Sequence, residues 1–365
     1  MSQVMININP QVLRWAREEA GYETAEIAGK MNIVPERYLL WENEGKNIPL
    51  GKLKLLASTF KRQLAVFLLP EVPAKITIPH DFRNLSPEQS KLSKKALAVM
   101  RDVSYFRETA LEMQGTAYWE DKYKWLEEVS KEPDNKTEEK LREILDISIE
   151  EQLSWNTENE AYRNWRKAVE ERLGIFVFQF SLPLDETQGF CFADNIPYAI
   201  VTNSNHSYTA RIFTIFHELA HILNHQSGLC LFEYATKKQE KEWACNEFAG
   251  RFLIPDQYVY ATDNLVEIKS YANMLKISRE AYLRRLKDEN KISSPAFFSL
   301  LEEIKATYPK QKKKGGFVLP EANSRAVRGE TFYNMVLDAM YNGRISYTKA
   351  SDALNINISR LLHEA

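Results

Sequence analysis

The spacing of apolar positions predicts a chain that is mostly helical. In residues 208–224 apolar side chains recur every three to four positions, which is typical of a buried helix rather than of an alternating strand. Residues 241–255 show the same spacing, and Pro255 marks their end. Residues 174–203 instead carry short apolar runs broken by proline and glycine, which predict a small sheet. We therefore predict an α+β fold with a helical majority.

Residues 1–70 are predicted to form a compact helical domain. Pro10 can open a helix over residues 11–20, and Gly21 ends it. A second helix is expected over residues 24–31 and a third from Pro35.

Residues 71–170 form the predicted connecting region, which is charged and helical. Its four tryptophans could stack on nucleobases, but such a stripe is more often the core face of amphipathic helices, and we favour the core. The four are Trp119, Trp125, Trp155 and Trp165.

The segment behind Pro255 is expected to close the central domain, residues 171–310, with a unit that resembles a helix-turn-helix. Its basic face is predicted from four residues, Arg279, Arg284, Arg285 and Lys287. A lysine- and glycine-rich hinge over residues 310–316 leads to a C-terminal helical accessory domain, residues 317–365. Two short helices around a turn at residues 355–357 are predicted there, with a role in regulation or partner binding.

Composition narrows the class of protein. The chain has 365 residues and a net charge of −2, so it can hold several domains and has no global attraction for nucleic acid. Its three cysteines suit a reducing compartment. The first residues do not show the basic and apolar pattern of a signal segment, and no apolar run approaches ~18 residues. We therefore expect a cytoplasmic protein that does not contact the membrane.

The sequence HELAH carries the strongest chemical signal. His217 and His221 are four residues apart, so on a helix both imidazoles can reach one ion at ~2.0–2.1 Å. Glu218 would then lie beside the metal, where it can act as a general base. This HExxH pattern predicts a catalytic Zn²⁺ site.

Such a site needs a third protein ligand. Glu242 and Asn246 share one face of the helix predicted over residues 241–255. Glu242 could therefore bind the metal, while Asn246 could hydrogen-bond to one of the metal ligands. Cys245 is an alternative ligand, although a buried, inert thiol is the more common explanation for such a residue. His225 would drift off the metal, and we interpret it as a surface or supporting residue.

Residues 173–255 resemble the ImmA/IrrE-type metallopeptidases that follow an Xre-type helix-turn-helix. The resemblance rests on LGIFVFQFSL, GFCFAD, PYAIVTN, ARIFTIFHELAH and E-x-x-C-N-x-F-A-x-x-F-L-I-P, which occur in that order. It implies a zincin-like domain of the gluzincin-like type with zinc ligands His217, His221 and Glu242, and with Glu218 as general base or acid.

The function that this resemblance implies is a zinc-dependent metalloendopeptidase coupled to a DNA-binding regulator. Family members are associated with cleavage of repressors or other regulators in mobile elements and stress responses, so a repressor or a toxin is the expected partner. The alternative is a latent or vestigial site in a non-proteolytic antitoxin or transcription regulator that uses the fold for partner binding.

The segment TAEIAGKMNIVPERYLLWENEG resembles the helix-turn-helix of Xre-type regulators. In a DNA complex its third helix would place Glu36, Arg37 and Leu40 near base edges and Lys46 near phosphate. Residues 1–62 hold nine Lys or Arg and seven Asp or Glu, a balance of 9 − 7 = +2, so we expect weak binding or a homodimer. The alternative is a helix-turn-helix kept for protein contacts.

The strand that precedes the HELAH helix is expected to expose an edge that could hold an extended peptide substrate. His206 and Tyr208, in the segment between strand and helix, could stabilise an oxyanion, but a turn or packing role is the more common one for such residues.

Overall fold

The computed structural model describes residues 4–73, 92–131, 136–224, 239–307 and 318–362, with the side chains of 239–241 left out. The protein is mostly helical with small sheets, as the α+β prediction states. Its internal contacts divide the chain into two units near residue 104.

The first unit is a small helical bundle. Its helices have the bounds α1 Pro10–Glu19, α2 Thr24–Met31, α3 Pro35–Glu44 and α4 Leu50–Thr59, and the short strands β1 Met5–Ile6 and β2 Ile48–Pro49 pair antiparallel. The three helices predicted here are confirmed to within one residue. Asn9 caps α1 through its side chain, and the backbone turns left-handed at Asn32 between α2 and α3.

A buried ion pair joins α1 to α3. Arg17 Nε lies 2.7 Å from Glu42 Oε1, and the Glu42 side chain is 2% exposed. The Glu42 carboxylate is therefore buried in the bundle core and is not available to a ligand.

The helix α5, Lys94–Gln114, contains the boundary between the two units. The second unit then continues with α6 Thr116–Lys122, α7 Trp125–Ser130, α8 Thr137–Leu145, α9 Ile149–Ser154, α10 Glu158–Arg172, β3 Phe176–Phe180, β4 Gly189–Phe192, β5 Ala199–Asn203, α11 Tyr208–Leu223, α12 Gln239–Leu253, α13 Leu265–Leu275, α14 Arg279–Asp288, α15 Ser294–Ala306, α16 Pro320–Arg328, α17 Glu330–Tyr341, α18 Tyr347–Leu354 and α19 Ile358–Leu361.

The sheet of the second unit has the strand order β3-β5-β4. The strands β3 and β5 run parallel and β4 runs antiparallel to β5. The small sheet predicted over residues 174–203 is thus confirmed, but the predicted substrate edge is wrong. The strand before the HELAH helix is β5, which is paired on both sides and has no free edge for a peptide.

The four tryptophans of the connecting region are core residues, as we favoured. Each is less than 9% exposed, and the Trp165 ring packs edge-on against Phe216 of α11 at 4.9 Å. Stacking on nucleobases is therefore excluded for these side chains.

Residues 318–362 pack against the sheet and α10 of the second unit, to which they belong. Phe332 of α17 is fully buried, and its ring centroid lies 5.4 Å from Phe176 and 5.6 Å from Phe178, both in β3. Arg166 of α10 donates hydrogen bonds to the carbonyls of Ala326 and Val327. The C-terminal helices, predicted as an accessory domain, thus supply part of the core beneath the sheet.

Two short helices around a turn at residues 355–357 are observed as α18 and α19. Among the helices that the structure describes, none combines the length and apolar character needed to cross a bilayer.

Candidate metal centre

The helix that carries HELAH is buried along nearly all of its length. Ser207 caps its first turn by accepting a hydrogen bond from the Ala210 N–H. The edge strand β4 lies close beside it at Gly189, where a Cβ would meet Thr214 Cγ2 and the Val201 carbonyl oxygen, each at 2.4 Å. A glycine is required there because any side chain would push the strand away from the helix.

Three candidate ligands from α11 and α12 meet at one point. His217 Nε2 and His221 Nε2 lie 3.2 Å apart. Glu242 places Oε2 at 3.2 Å from His217 Nε2 and Oε1 at 3.5 Å from His221 Nε2. The histidine side chains are 7% and 3% exposed and that of Glu242 is 38% exposed, so the group opens towards solvent on the side of Glu242.

These separations suit a tetrahedral Zn²⁺. With metal–ligand bonds of ~2.0–2.1 Å, tetrahedral geometry separates neighbouring donor atoms by about 3.3 Å. The two Nε2 atoms, 3.2 Å apart, lie close to that separation, and each faces a different oxygen of the Glu242 carboxylate. One donor atom from each of the three residues falls within 4.8 Å of the others. Two imidazoles and a carboxylate form a donor set that Zn²⁺ accepts, so the residues fit this ion.

The second ring nitrogen of each histidine also has a partner on α12. His217 Nδ1 lies 3.1 Å from Asn246 Oδ1, and His221 Nδ1 lies 3.6 Å from Cys245 Sγ. Because Cys245 faces Nδ1 while Glu242 faces Nε2 of the same ring, the thiol cannot bind the ion that Nε2 would bind. The alternative that Cys245 is a ligand is therefore set aside.

The charges of the group are arranged to receive a cation. Burial alone would lower the pKa of His221, but the contacts with Cys245 and Glu242 and the nearby charge of Glu218 outweigh burial and raise the pKa to about 11. Burial likewise opposes ionisation of Glu242, but its bonds to His217 and His221 outweigh burial and hold the pKa of this carboxyl below its usual range. A positive charge between these side chains is thus favoured.

Glu218 lies directly next to His217 in sequence and is fully buried. Its charge contributes to the raised pKa of His221. Glu218 is therefore not a solvated surface glutamate.

Three side chains hold the C-terminal end of α12; Gln152 and Arg285 are buried and Arg142 is half-buried, and no sequence pattern indicated this role. Arg142 of α8 donates to the Phe252 carbonyl at 2.7 Å, and Gln152 of α9 donates to the Leu253 carbonyl at 3.1 Å. Arg285 of α14 donates to the Ile254 carbonyl at 3.3 Å. These bonds satisfy carbonyls that a helix end leaves without a partner, and they fix the helix that carries Glu242.

The basic face predicted for α14 is wrong at Arg285. This side chain is 2% exposed and pairs with Asp256 and Glu289, so it serves the core and not a phosphate. His225 and the lysine-rich run 310–316 lie outside the described residues.

His206 and Tyr208 lie at the start of α11, far along the helix axis from the ligand group. Tyr208 begins α11, nine residues before His217, which corresponds to ~13.5 Å along the axis. Its ring packs on Tyr162 at 5.7 Å, and the His206 carbonyl accepts a bond from Arg211 Nε. The packing and turn roles that we favoured describe both residues.

The helices α11 and α12 lie within the part of the chain that matches a known protein family. Residues 170–287 match Peptidase_M78, the IrrE N-terminal-like domain family. This segment, about a third of the chain, begins in α10 and ends in α14 and contains the complete ligand group. The match indicates a metallopeptidase-type domain of a zinc-dependent class. No curated protein and no solved structure matches the chain.

The residues predicted to contact DNA belong to the first unit and are all exposed. Glu36, Arg37 and Leu40 project from α3, and Lys46 follows its end. Leu40 is 46% exposed although it is apolar, so this surface is free of the bundle core.

Proposed function

We propose that this chain is a zinc-dependent metalloendopeptidase coupled to a DNA-binding regulator domain, and that it cleaves a repressor or another partner protein. The observation that carries the proposal is the convergence of His217, His221 and Glu242, with one donor atom from each within 4.8 Å of the others, next in sequence to the buried Glu218. The Peptidase_M78 match over the same residues supports it.

In the proposed mechanism, His217, His221 and Glu242 would hold Zn²⁺, and the bound ion would supply Lewis-acid chemistry that polarises the scissile carbonyl and lowers the pKa of water from ~15.7 towards ~7. Glu218 accepts a proton from the attacking water and later donates it to the leaving amine. Asn246 fixes the ring of His217 through Nδ1, so that its Nε2 lone pair faces the ligand group.

The mechanism predicts that Glu218→Gln abolishes hydrolysis and leaves zinc in place. The amide keeps the shape of the side chain but cannot accept the proton, so the rate of partner cleavage should fall by about 10²–10⁴-fold. Zinc content by atomic absorption and cleavage of proteins encoded beside this chain are the two measurements.

The matched control is Glu247→Gln, the same change at a half-buried glutamate of α12 that pairs with Arg251 and lies outside the ligand group. It should cleave at the wild-type rate. If Glu218→Gln also cleaves at that rate, Glu218 is not the base. A zinc-loaded wild type that holds its partner uncut would favour the non-proteolytic antitoxin instead.

We further propose that the first unit binds DNA through α3, because Arg37 and Leu40 are exposed there and Lys46 lies at its end. An Arg37→Ala chain should bind its operator about 10-fold more weakly, since one good base contact contributes ~1–3 kcal/mol. Fluorescence anisotropy on the full chain, with operators selected from random DNA, measures the change.

The control for DNA binding is Lys54→Ala, which removes an exposed charge from α4 rather than α3. Equal losses in both variants would show that only net charge matters. Failure of the wild type to select any sequence would leave protein contact as the role of this unit.

A further inference from the structure

The Nδ1 atoms of the two candidate histidine ligands contact different kinds of side chain. A histidine that binds metal through Nε2 needs an acceptor for its Nδ1–H, which fixes both the tautomer and the plane of the ring. For His217 this acceptor is an amide oxygen, Asn246 Oδ1 at 3.1 Å. For His221 the group at Nδ1 is the sulfur of Cys245, at 3.6 Å.

The placement of this sulfur follows from the spacing along α12. Glu242, Cys245 and Asn246 stand at positions i, i+3 and i+4 and therefore share one face of the helix. That face meets His217 and His221, which are four residues apart on α11. One turn of α12 thus provides a metal ligand and the partners of both outer ring nitrogens.

We propose that Cys245 is a positioning residue for the metal centre, and that its sulfur accepts the Nδ1–H of His221 and so directs Nε2 towards Glu242 and His217. The inference rests on the proposed function, because it gives Cys245 a role only while His221 is a ligand. Cys245 is 2% exposed, so water does not compete for this hydrogen bond.

The test is zinc affinity of the full chain, measured by competition with a chromophoric chelator. Loss of an outer partner of a metal-binding histidine typically weakens metal binding 10–100-fold, so Cys245→Ala should bind zinc at least about 10-fold more weakly. Cys245→Ser keeps an acceptor on a shorter bond to Cβ and should fall between the wild type and Cys245→Ala.

The matched control is Cys191→Ala, which removes the other buried thiol of the described chain, in β4. Its zinc affinity should equal that of the wild type. The stability of the metal-free proteins, measured in parallel, separates a loss of packing from a loss of metal binding, since both substitutions remove one buried sulfur.

A second readout follows the proton itself. In the zinc-loaded chain labelled with ¹⁵N-histidine, Cys245→Ala should speed exchange of the His221 Nδ1–H with water and leave that of His217 unchanged. The inference is overturned if Cys245→Ala binds zinc within about twofold of the wild type, or if Cys191→Ala loses as much. Absence of zinc binding by the wild type would instead overturn the proposed function.

Discussion

Single residues determine how closely the two helices of the metal group and the sheet approach each other. The ring of Phe216, one residue before His217, stacks on Phe252 of α12 with centroids 4.2 Å apart. On the opposite flank, β4 reaches α11 only because residue 189 has no side chain. Close packing on both flanks leaves the imidazoles little freedom to rotate.

At this scale we predict that Gly189→Ala destabilises the protein by about 1–3 kcal/mol, the usual cost of overpacking. Its Cβ would meet the Val201 carbonyl, which is backbone of the neighbouring strand and cannot swing aside. Urea denaturation of the purified chain measures the free energy of unfolding.

Gly250→Ala is the matched comparison, because this glycine lies within α12 and a Cβ there meets only Arg285 Cδ at 3.7 Å. Alanine is the better helix former by about 1 kcal/mol, so this variant should be as stable as the wild type or more so. Equal destabilisation of the two variants would refute the close approach at Gly189.

The metal-binding pair His217 and His221 could be predicted because a spacing of four residues alone puts them on one helix face. The Asn246 contact was within reach for the same reason, as it lies four residues from Glu242. The bond of Cys245 to His221 was not, because a small residue in a helix carries no sign of which atom it meets 24 positions earlier.

At the scale of secondary structure, the same turn joins several pairs of consecutive helices. In the described residues four helix pairs are joined by a turn in which the first helix ends at a left-handed residue followed directly by isoleucine, and these left-handed residues are Asn32, Asp146, Lys276 and Asn355. In each pair the isoleucine N–H bonds to the carbonyl five residues earlier, which closes the first helix. This turn therefore serves to pack one helix against the next. DNA binding is proposed only for the first pair, in which Arg37 and Leu40 of α3 are exposed.

Strand order was beyond the reach of the sequence. Short apolar runs predict that strands exist, but the partners of each strand depend on contacts between distant segments. We therefore expected β5 to provide an edge, whereas it lies between β3 and β4.

For the elements around α12 we predict that Gln152→Ala lowers stability by about 1–3 kcal/mol, because it leaves buried carbonyls without a donor. Gln152 Nε2 donates to the Leu253 and Leu275 carbonyls and is fully buried. Guanidinium denaturation is the measurement.

Glu151→Ala, on the exposed side of the same helix, should change the free energy of unfolding by less than about 0.5 kcal/mol. A Gln152→Ala protein as stable as this control would mean that α9 does not support α12.

The second unit as a whole extends beyond the segment that matches Peptidase_M78. Phe332 packs on Phe106, Phe176 and Phe178, with ring centroids between 5.2 and 5.6 Å, although it lies 45 residues past the end of the match at residue 287. The sheet of the metallopeptidase-type domain is therefore completed by C-terminal helices.

At the scale of the whole molecule, Phe332→Ala should cost about 3–5 kcal/mol, the range for a large buried aromatic side chain. Thermal unfolding followed by circular dichroism should show the loss. Phe298→Ala makes the same substitution at a position that is 62% exposed and should cost less than about 1 kcal/mol. Similar melting temperatures for both variants would show that the C-terminal helices are dispensable.

The hydrogen bonds from Arg142, Gln152 and Arg285 anchor α12 at the end that is far from Glu242. Glu242 lies ~16 Å along the axis from Leu253, so a tilt of about 5° around the fixed end would move its carboxylate by about 1.4 Å. A displacement of that size is enough to lower a catalysed rate by about 100-fold. Arg142 and Gln152, which hold that end, precede the segment shared with Peptidase_M78. The position of the third ligand therefore depends on residues of α8 and α9 that lie far from the metal group and outside the shared segment.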